Sequence, residues 1–416
     1  MFRTLSISSL LLLVASSTAF AQTPSNGRFV RGAGESPAKL TRAGSKKADL
    51  GTNPYSGSYL PRTSGPLANE PGDAEVKRKI VEGFGDCNLV HKIIQDNATM
   101  DAAAKLEAAG NLSGFRAKYL REGHNPDAES WEGFCHNWAP AGLDPAVNFM
   151  VSMDKIYADI PFGVSDLREL TTYTLPDSWD VAWFGKRHND KDSAEKPEDS
   201  LDPVDLMTIF ENYVGKGKPG IVMDVDPGYM VWNQPFYKWN RTATRVQGTE
   251  MGPKAPPAGG RAYKVKLNAT YAVEGNYGYR GETLDRDSNW EFFIYTDKKG
   301  NIVDSAWDPA YSNKIPDFAW AYRGERNQSD EFDAIKKVAK DGVKVSSIEE
   351  FCKVMAGLSG KPSRSERKKL KKLLDEICPV LDQNKLSDYI RKTAERIGMD
   401  YSVLEDSIRV DAEAHI

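Results

Sequence analysis

Histidine is scarce in this chain: its 416 residues hold five, at His91, His124, His136, His188 and His415. Chemistry that needs an imidazole base must draw on these, and none lies between His188 and His415. Cysteine is nearly as rare, at Cys87, Cys135, Cys352 and Cys378. A dominant charge is also missing, since 55 basic residues against 59 acidic ones give a formal charge of −4. That balance argues against a nucleic-acid partner. Long apolar runs are absent beyond the amino terminus, so no segment has the ~20 residues needed for a transmembrane helix.

The one apolar run, Leu10 to Ala15, follows Arg3 and precedes Ala19-Phe20-Ala21. That order reads as a signal peptide, residues 1–21, cleaved after Ala21, and predicts a secreted or periplasmic protein. Loss of Arg3 with the leader takes the charge from −4 to −5. An oxidising compartment favours disulfides. Cys352 and Cys378 share the helical carboxy-terminal part and are expected to pair, leaving Cys87 and Cys135 paired or free. Five Asn-x-Ser/Thr sites, at Asn97, Asn111, Asn240, Asn268 and Asn327, take glycans only in a eukaryotic secretory pathway.

The length suggests two or three domains, and 40% hydrophobic residues with nine tryptophans and seventeen tyrosines supply ample core. Residues 22–70 are rich in Gly, Ser, Pro and Thr and read as an exposed leader or pro-segment. A core domain is expected over 71–328 and a helical carboxy-terminal domain over 329–416. Asp202 and Pro203 are a plausible N-cap and first residue of a helix reaching Tyr213. Ile221 to Asp226 reads as a strand ending at Pro227-Gly228. Tyr263, Val265, Leu267, Ala269 and Tyr271 alternate with polar residues, as a half-buried strand requires. Trp290–Thr296 and Asn301–Trp307, joined by Asp297-Lys298-Lys299-Gly300, read as a hairpin. Ser363 and Glu366 have capping-box spacing before Leu370, Leu373, Leu374 and Ile377. The basic residues crowding that helix read as a solvated face.

The densest chemical signal is Phe134-Cys135-His136-Asn137-Trp138-Ala139-Pro140-Ala141 after Trp131-Glu132-Gly133. Gly133 permits a sharp turn, and Pro140 is tolerated only in a helix's first turn. The layout suggests a cysteine at the mouth of a buried helix, where the thiol pKa can fall from ~8.5 to between ~3.5 and ~7.5. A core or disulfide-bonded cysteine is the other reading, and both stay open.

Three blocks carry a resemblance. They are Gly133 to Ala141, then Met223-Asp224-Val225-Asp226 with Val231-Trp232-Asn233-Gln234-Pro235, then the Asp297–Trp307 hairpin with Pro316-Asp317-Phe318-Ala319-Trp320. Together they resemble the transglutaminase elicitor family of secreted oomycete and bacterial proteins, from about residue 53 to 322. Tyr55 to Pro61 is similar to that family's amino-terminal signature. The resemblance implies an α+β fold: a papain-like core with an amino-terminal helix and an antiparallel sheet, and here an appended carboxy-terminal helical region. It also implies acyl transfer from protein glutamine, through a Cys135 thioester, to a lysine amine or to water. Its partners would be protein substrates bearing Gln and Lys.

Such chemistry needs a nucleophile, a base, an orienting group and oxyanion donors. Relatives are expected to carry N-P-x-x-x-H before the acidic strand. This chain has Asp202-Pro203-Val204-Asp205-Leu206-Met207, without histidine. His136, adjacent to Cys135, points about 100° away on a helix. His188, in a charged loop, is the best distant candidate, and His91 reads as structural. Asp224 and Asp226 face one side of a strand as orienting carboxylates. No cofactor is expected. Calcium is the one ion that pair could attract, and two carboxylates fall short of its six to eight oxygens. Trp138, Trp232, Asn233 and Gln234 complete the candidates for substrate or oxyanion contacts. The alternatives to a transferase are a cysteine peptidase or amidase on the same core, or a catalytically silent envelope-binding protein.

Overall fold

The computed structural model describes residues 40, 42–176, 180–187, 201–225 and 228–409, without the side chains of 312–314. The expected signal peptide, His188, Asp226 and His415 lie outside the described residues. In chain order, strand β1 (Gly44–Asp49) precedes helices α1 (Pro66–Asn69), α2 (Ala74–Glu82), α3 (Lys92–Asn97), α4 (Ala102–Gly110) and α5 (Phe115–Glu122). Helices α6 (Cys135–Leu143) and α7 (Pro145–Met150) lead to β2 (Lys155–Tyr157), β3 (Ile160–Phe162) and α8 (Val164–Thr174). Then come β4 (Val181–Gly185), α9 (Pro203–Tyr213), β5 (Ile221–Asp224), β6 (Asn233–Val246) and β7 (Arg261–Ala272). Strands β8 (Asp285–Thr296), β9 (Ile302–Trp307) and β10 (Phe318–Tyr322) precede α10 (Asp330–Asp341) and β11 (Val343–Lys344). The chain closes with α11 (Val345–Gly357), α12 (Arg364–Ile377), α13 (Gln383–Ile397) and α14 (Tyr401–Ile408).

Among the described residues the main sheet has eight strands, ordered β4-β10-β5-β6-β7-β8-β9 with β1 also on β6, every pairing antiparallel. The alternation along β7 works as a half-buried strand should: Tyr263, Val265, Leu267, Ala269 and Tyr271 are buried. They meet α9 through Leu206, Met207, Ile209 and Phe210. That helix starts where the sequence places it, with the Asp202 carboxylate accepting from Val204 N at 2.8 Å and Pro203 first in the helix. The β8–β9 loop closes on Asp297, whose Oδ1 accepts from Lys299 N and Asn301 N at 2.8 and 2.9 Å.

The opposite side carries α4, α5, α6, α8 and α10, packed around Leu106, Trp138, Leu167, Phe332 and Ile335. Lys105 and Asp166 tie α4 to α8 as a wholly buried ion pair at 2.7 Å. A separate core joins α2 and α3 to the carboxy-terminal helices, with Val76, Ile80 and Ile94 among Phe351, Leu370, Leu374 and Ile390. The expected division at residue 329 is therefore not where the cores part. Helix α10 belongs with the central core, and residues 76–98 belong with the carboxy-terminal one.

Two further expectations are corrected. Part of the leader belongs to the fold: β1 pairs with β6 although its side chains are mostly exposed, and Tyr55, Ser56, Ser58 and Leu60 are buried. The disulfide joins Cys87 to Cys352, with Cα atoms 5.8 Å apart across 265 residues, and not Cys352 to Cys378. Cys352 sits on the buried side of α11, whereas Cys378 ends α12 exposed and free. Nearness in sequence does not bring two faces together.

Candidate active site

Cys135 is the first residue of α6, and Phe134 caps it without a side-chain bond. The turn into the helix depends on Gly133, because a Cβ there would lie 2.4 Å from Tyr59 O. That carbonyl accepts from Phe134 N at 2.5 Å. The segment Tyr55–Leu60 thus lies as a strap along the start of α6, and Trp138 Nε1 donates to Tyr55 O at 3.2 Å. Trp138 is 0% exposed. It holds the strap and has no surface for a substrate, which corrects its expected role. Pro140 also departs from expectation: it sits inside α6, past the first turn, and the helix runs on to Leu143. Its missing N–H costs one intrahelical bond.

Cys135 is free of disulfides and 5% exposed. Its Sγ donates to Val231 O at 3.7 Å and accepts from Asn233 Nδ2 at 3.5 Å. Asn233 is fixed in turn by Trp320 Nε1, which donates to its Oδ1 at 3.0 Å. Register places Asn233 opposite Asp224 across β5 and β6, and Trp320 opposite Val222 across β10 and β5. The fully buried Asp224 accepts from Trp232 N at 3.1 Å. Three neighbouring strands therefore support the wall that faces the sulfur.

Gln234, the next residue along β6, turns elsewhere, as strand alternation requires. Its Nε2 donates to both Glu274 oxygens, at 2.8 and 2.9 Å. Trp232 is half-buried and meets the Tyr59 ring edge-on at 5.6 Å between centroids. Glu274 and Tyr59 are the site neighbours that sequence reasoning missed. Glu274 lies just past the end of β7 in no motif, and Tyr59 falls in the stretch read as a leader.

The electrostatics are those of a sheltered thiol. Burial pushes Cys135 from its ordinary 9.0 up to about 11, opposed by hydrogen bonds from Asn233 and reinforced by Glu274 and Asp224. That rise disfavours the thiolate by roughly 3 kcal/mol. A helix amino terminus returns at most about 2 kcal/mol to an anion, so burial prevails. Burial also holds the half-buried His136 down at about 4, with Arg187 and Arg62 adding to the effect. It is neutral at pH 7 and supplies no imidazolium. Burial raises Glu274 above the usual carboxyl range.

The other described imidazoles sit elsewhere: His91 caps α3, and His124 Nε2 donates to Thr63 O at 3.2 Å. Among the described residues no group of three or more His, Cys, Asp or Glu is placed to hold a metal ion. None of the described helices is long and apolar enough to cross a membrane.

The architecture is similar to the crystal structure of the GP42 transglutaminase from Phytophthora sojae, with a TM-score of 0.53 and 15% sequence identity. The likeness covers 74% of this chain and 94% of that one. No family model matches the sequence, and no curated protein does. At that identity the likeness concerns the fold: this chain has a transglutaminase-like α+β fold.

Proposed function

We propose that this protein is an exported, transglutaminase-like acyltransferase whose nucleophile is Cys135. One observation carries the reading. A cysteine outside any disulfide opens a helix in a transglutaminase-like fold, with an amide donor 3.5 Å from its sulfur. Cys135, giving up its proton as it attacks, adds to the side-chain carbonyl of a protein glutamine. The C–S bond forms, the C–N bond breaks, and ammonia leaves with the proton lost by the thiol. A lysine amine then displaces the sulfur, giving an isopeptide bond, or water does so, giving glutamate. The Cys135 N–H, first in α6 and so without an intrahelical acceptor, and the Asn233 amide are the donors suited to the oxyanion. The Cys87–Cys352 disulfide supports an oxidising compartment outside the cytoplasm.

The test is incorporation of a fluorescent primary amine into a glutamine-bearing protein, with ammonia release scored in parallel. No incorporation and no ammonia, or either undiminished in Cys135→Ala, rejects the proposal. A silent, binding-only domain has one observation in its favour: the described partners of the sulfur are a carbonyl and an amide, neither of them a base. It predicts no turnover under any condition that leaves the fold intact.

A further inference from the structure

Helix α12 carries Arg364, Arg367, Lys368, Lys369, Lys371 and Lys372 within nine positions. Its buried side, Leu370, Leu374 and Ile377, packs into the carboxy-terminal core. Arg364, Lys368, Lys371 and Lys372 are exposed; Lys368 follows Arg364 by four positions, and Lys371 and Lys372 follow Lys368 by three and four, so they form one outward stripe. Lys369 leans the other way, to Glu350.

The stripe gathers more unpaired cations than the protein's other charged helices. Several exposed cations on α2, α3, α10 and α13 pair with acids one turn away, as in Arg78–Glu82, Lys92–Asp96, Lys336–Asp333 and Lys392–Asp388, and on α10 only Lys337 and Lys340 are exposed without a described ion pair. Among the described residues the four stripe cations form no ion pair, even though Asp375 and Glu376 lie only one turn further on. The nearest acid in sequence, Glu366, is spent on the helix cap, where it accepts from Ser363 N at 2.7 Å. An ordinary solvated face has its charges interspersed. This one concentrates a single sign in a chain whose net charge is −4.

The geometry points to α12 as a docking face for an anionic phospholipid bilayer. The stripe runs straight along the first part of this 14-residue helix, and its cations from Arg364 to Lys372 span about 12 Å. The stripe is mostly lysine, and lysine acts as a point charge without the planar fork that reads phosphate bidentately. It displays no aromatic ring on which a base could stack. A ridge of point charges matches a flat, diffuse array of head-group phosphates better than a grooved polymer. Each such cation near an anionic bilayer strengthens partition roughly fivefold, so four contribute on the order of 500-fold.

The test is co-sedimentation of the full chain with phosphatidylglycerol/phosphatidylcholine vesicles and with pure phosphatidylcholine vesicles, at low and high salt. The comparison is the quadruple variant R364Q/K368Q/K371Q/K372Q, checked for an unchanged thermal transition. The apolar amino-terminal run is common to both proteins and cancels in that comparison. The expected result is salt-sensitive binding to anionic vesicles that the variant loses by two orders of magnitude or more. Equal binding by the two proteins, a difference between them that is as large on neutral vesicles, or retention on duplex DNA or heparin without vesicle binding overturns the proposal. None of these readouts depends on Cys135.

Discussion

Raising the pH tests the state of Cys135 directly. With its pKa near 11, about one thiol in 3,000 is ionised at pH 7.5, against about one in 30 at the ordinary 9.0. Alkylation by iodoacetamide should therefore run about 100-fold slower than for an ordinary thiol, before any further delay from burial. Pulse labelling followed by peptide mass spectrometry reads Cys135 separately from the exposed Cys378. The Cys135 rate should climb about tenfold per pH unit through pH 10 with no plateau. Stability gives a second readout. Between pH 9 and 11 the unfolded chain gives up this proton before the folded one, so folding loses stability as pH rises through that window. The loss reaches roughly 3 kcal/mol, and below pH 9 this group contributes no pH dependence. Cys135→Ser has no such group, and its stability should fall less steeply, by about 1.4 kcal/mol per pH unit. An alkylation inflection below pH 8.5 would refute the reasoning, because it would mean that the helix amino terminus and Asn233 outweigh burial.

Gly133→Ala places a methyl group against Tyr59 O and should cost about 1–3 kcal/mol in urea unfolding; a neutral result would show that the strap yields freely. Asn233→Ala leaves the Trp320 indole N–H without its acceptor, at about 1–3 kcal/mol. It also removes a donor to the sulfur, so the Cys135 pKa should rise further and alkylation at fixed pH should slow; faster alkylation would contradict the electrostatic account. Cys352→Ser opens the bridge to Cys87 and should lower stability by about 2–5 kcal/mol in oxidising buffer. In reducing buffer it should match the parent protein, and a difference there would assign the loss to packing.

Local chemistry was legible in the residues, and tertiary pairing was not. The Asp202 cap of α9, the Ser363–Glu366 box of α12 and the β8–β9 turn depend on neighbours within a few positions, so spacing is enough to read them. Cys87 meets Cys352 only because α11 turns its apolar side toward the segment between α2 and α3, and periodicity gives a face without its partner. Pro140 looked like a helix start because the usual rule weighs the lost N–H, whereas in α6 the surrounding packing carries the helix past it. Tyr55 to Leu60 resembled a leader by composition, yet small residues are what allow a strap to lie close against a helix. Glu274 left no trace in the sequence, since a lone acid after a strand becomes a site neighbour only through the register of Gln234.

The core that joins residues 76–98 to residues 345–408 has a consequence for the order of assembly. An emerging chain can close the sheet and the Cys135 pocket before synthesis ends, but α2 and α3 keep their apolar sides uncovered until the last helices arrive. Release of those final residues, with Cys87 and Cys352 joined by an external thiol oxidant of the oxidising compartment, is then the late step that commits the molecule. Chains shortened from the carboxy terminus would strand an early segment rather than shed a module.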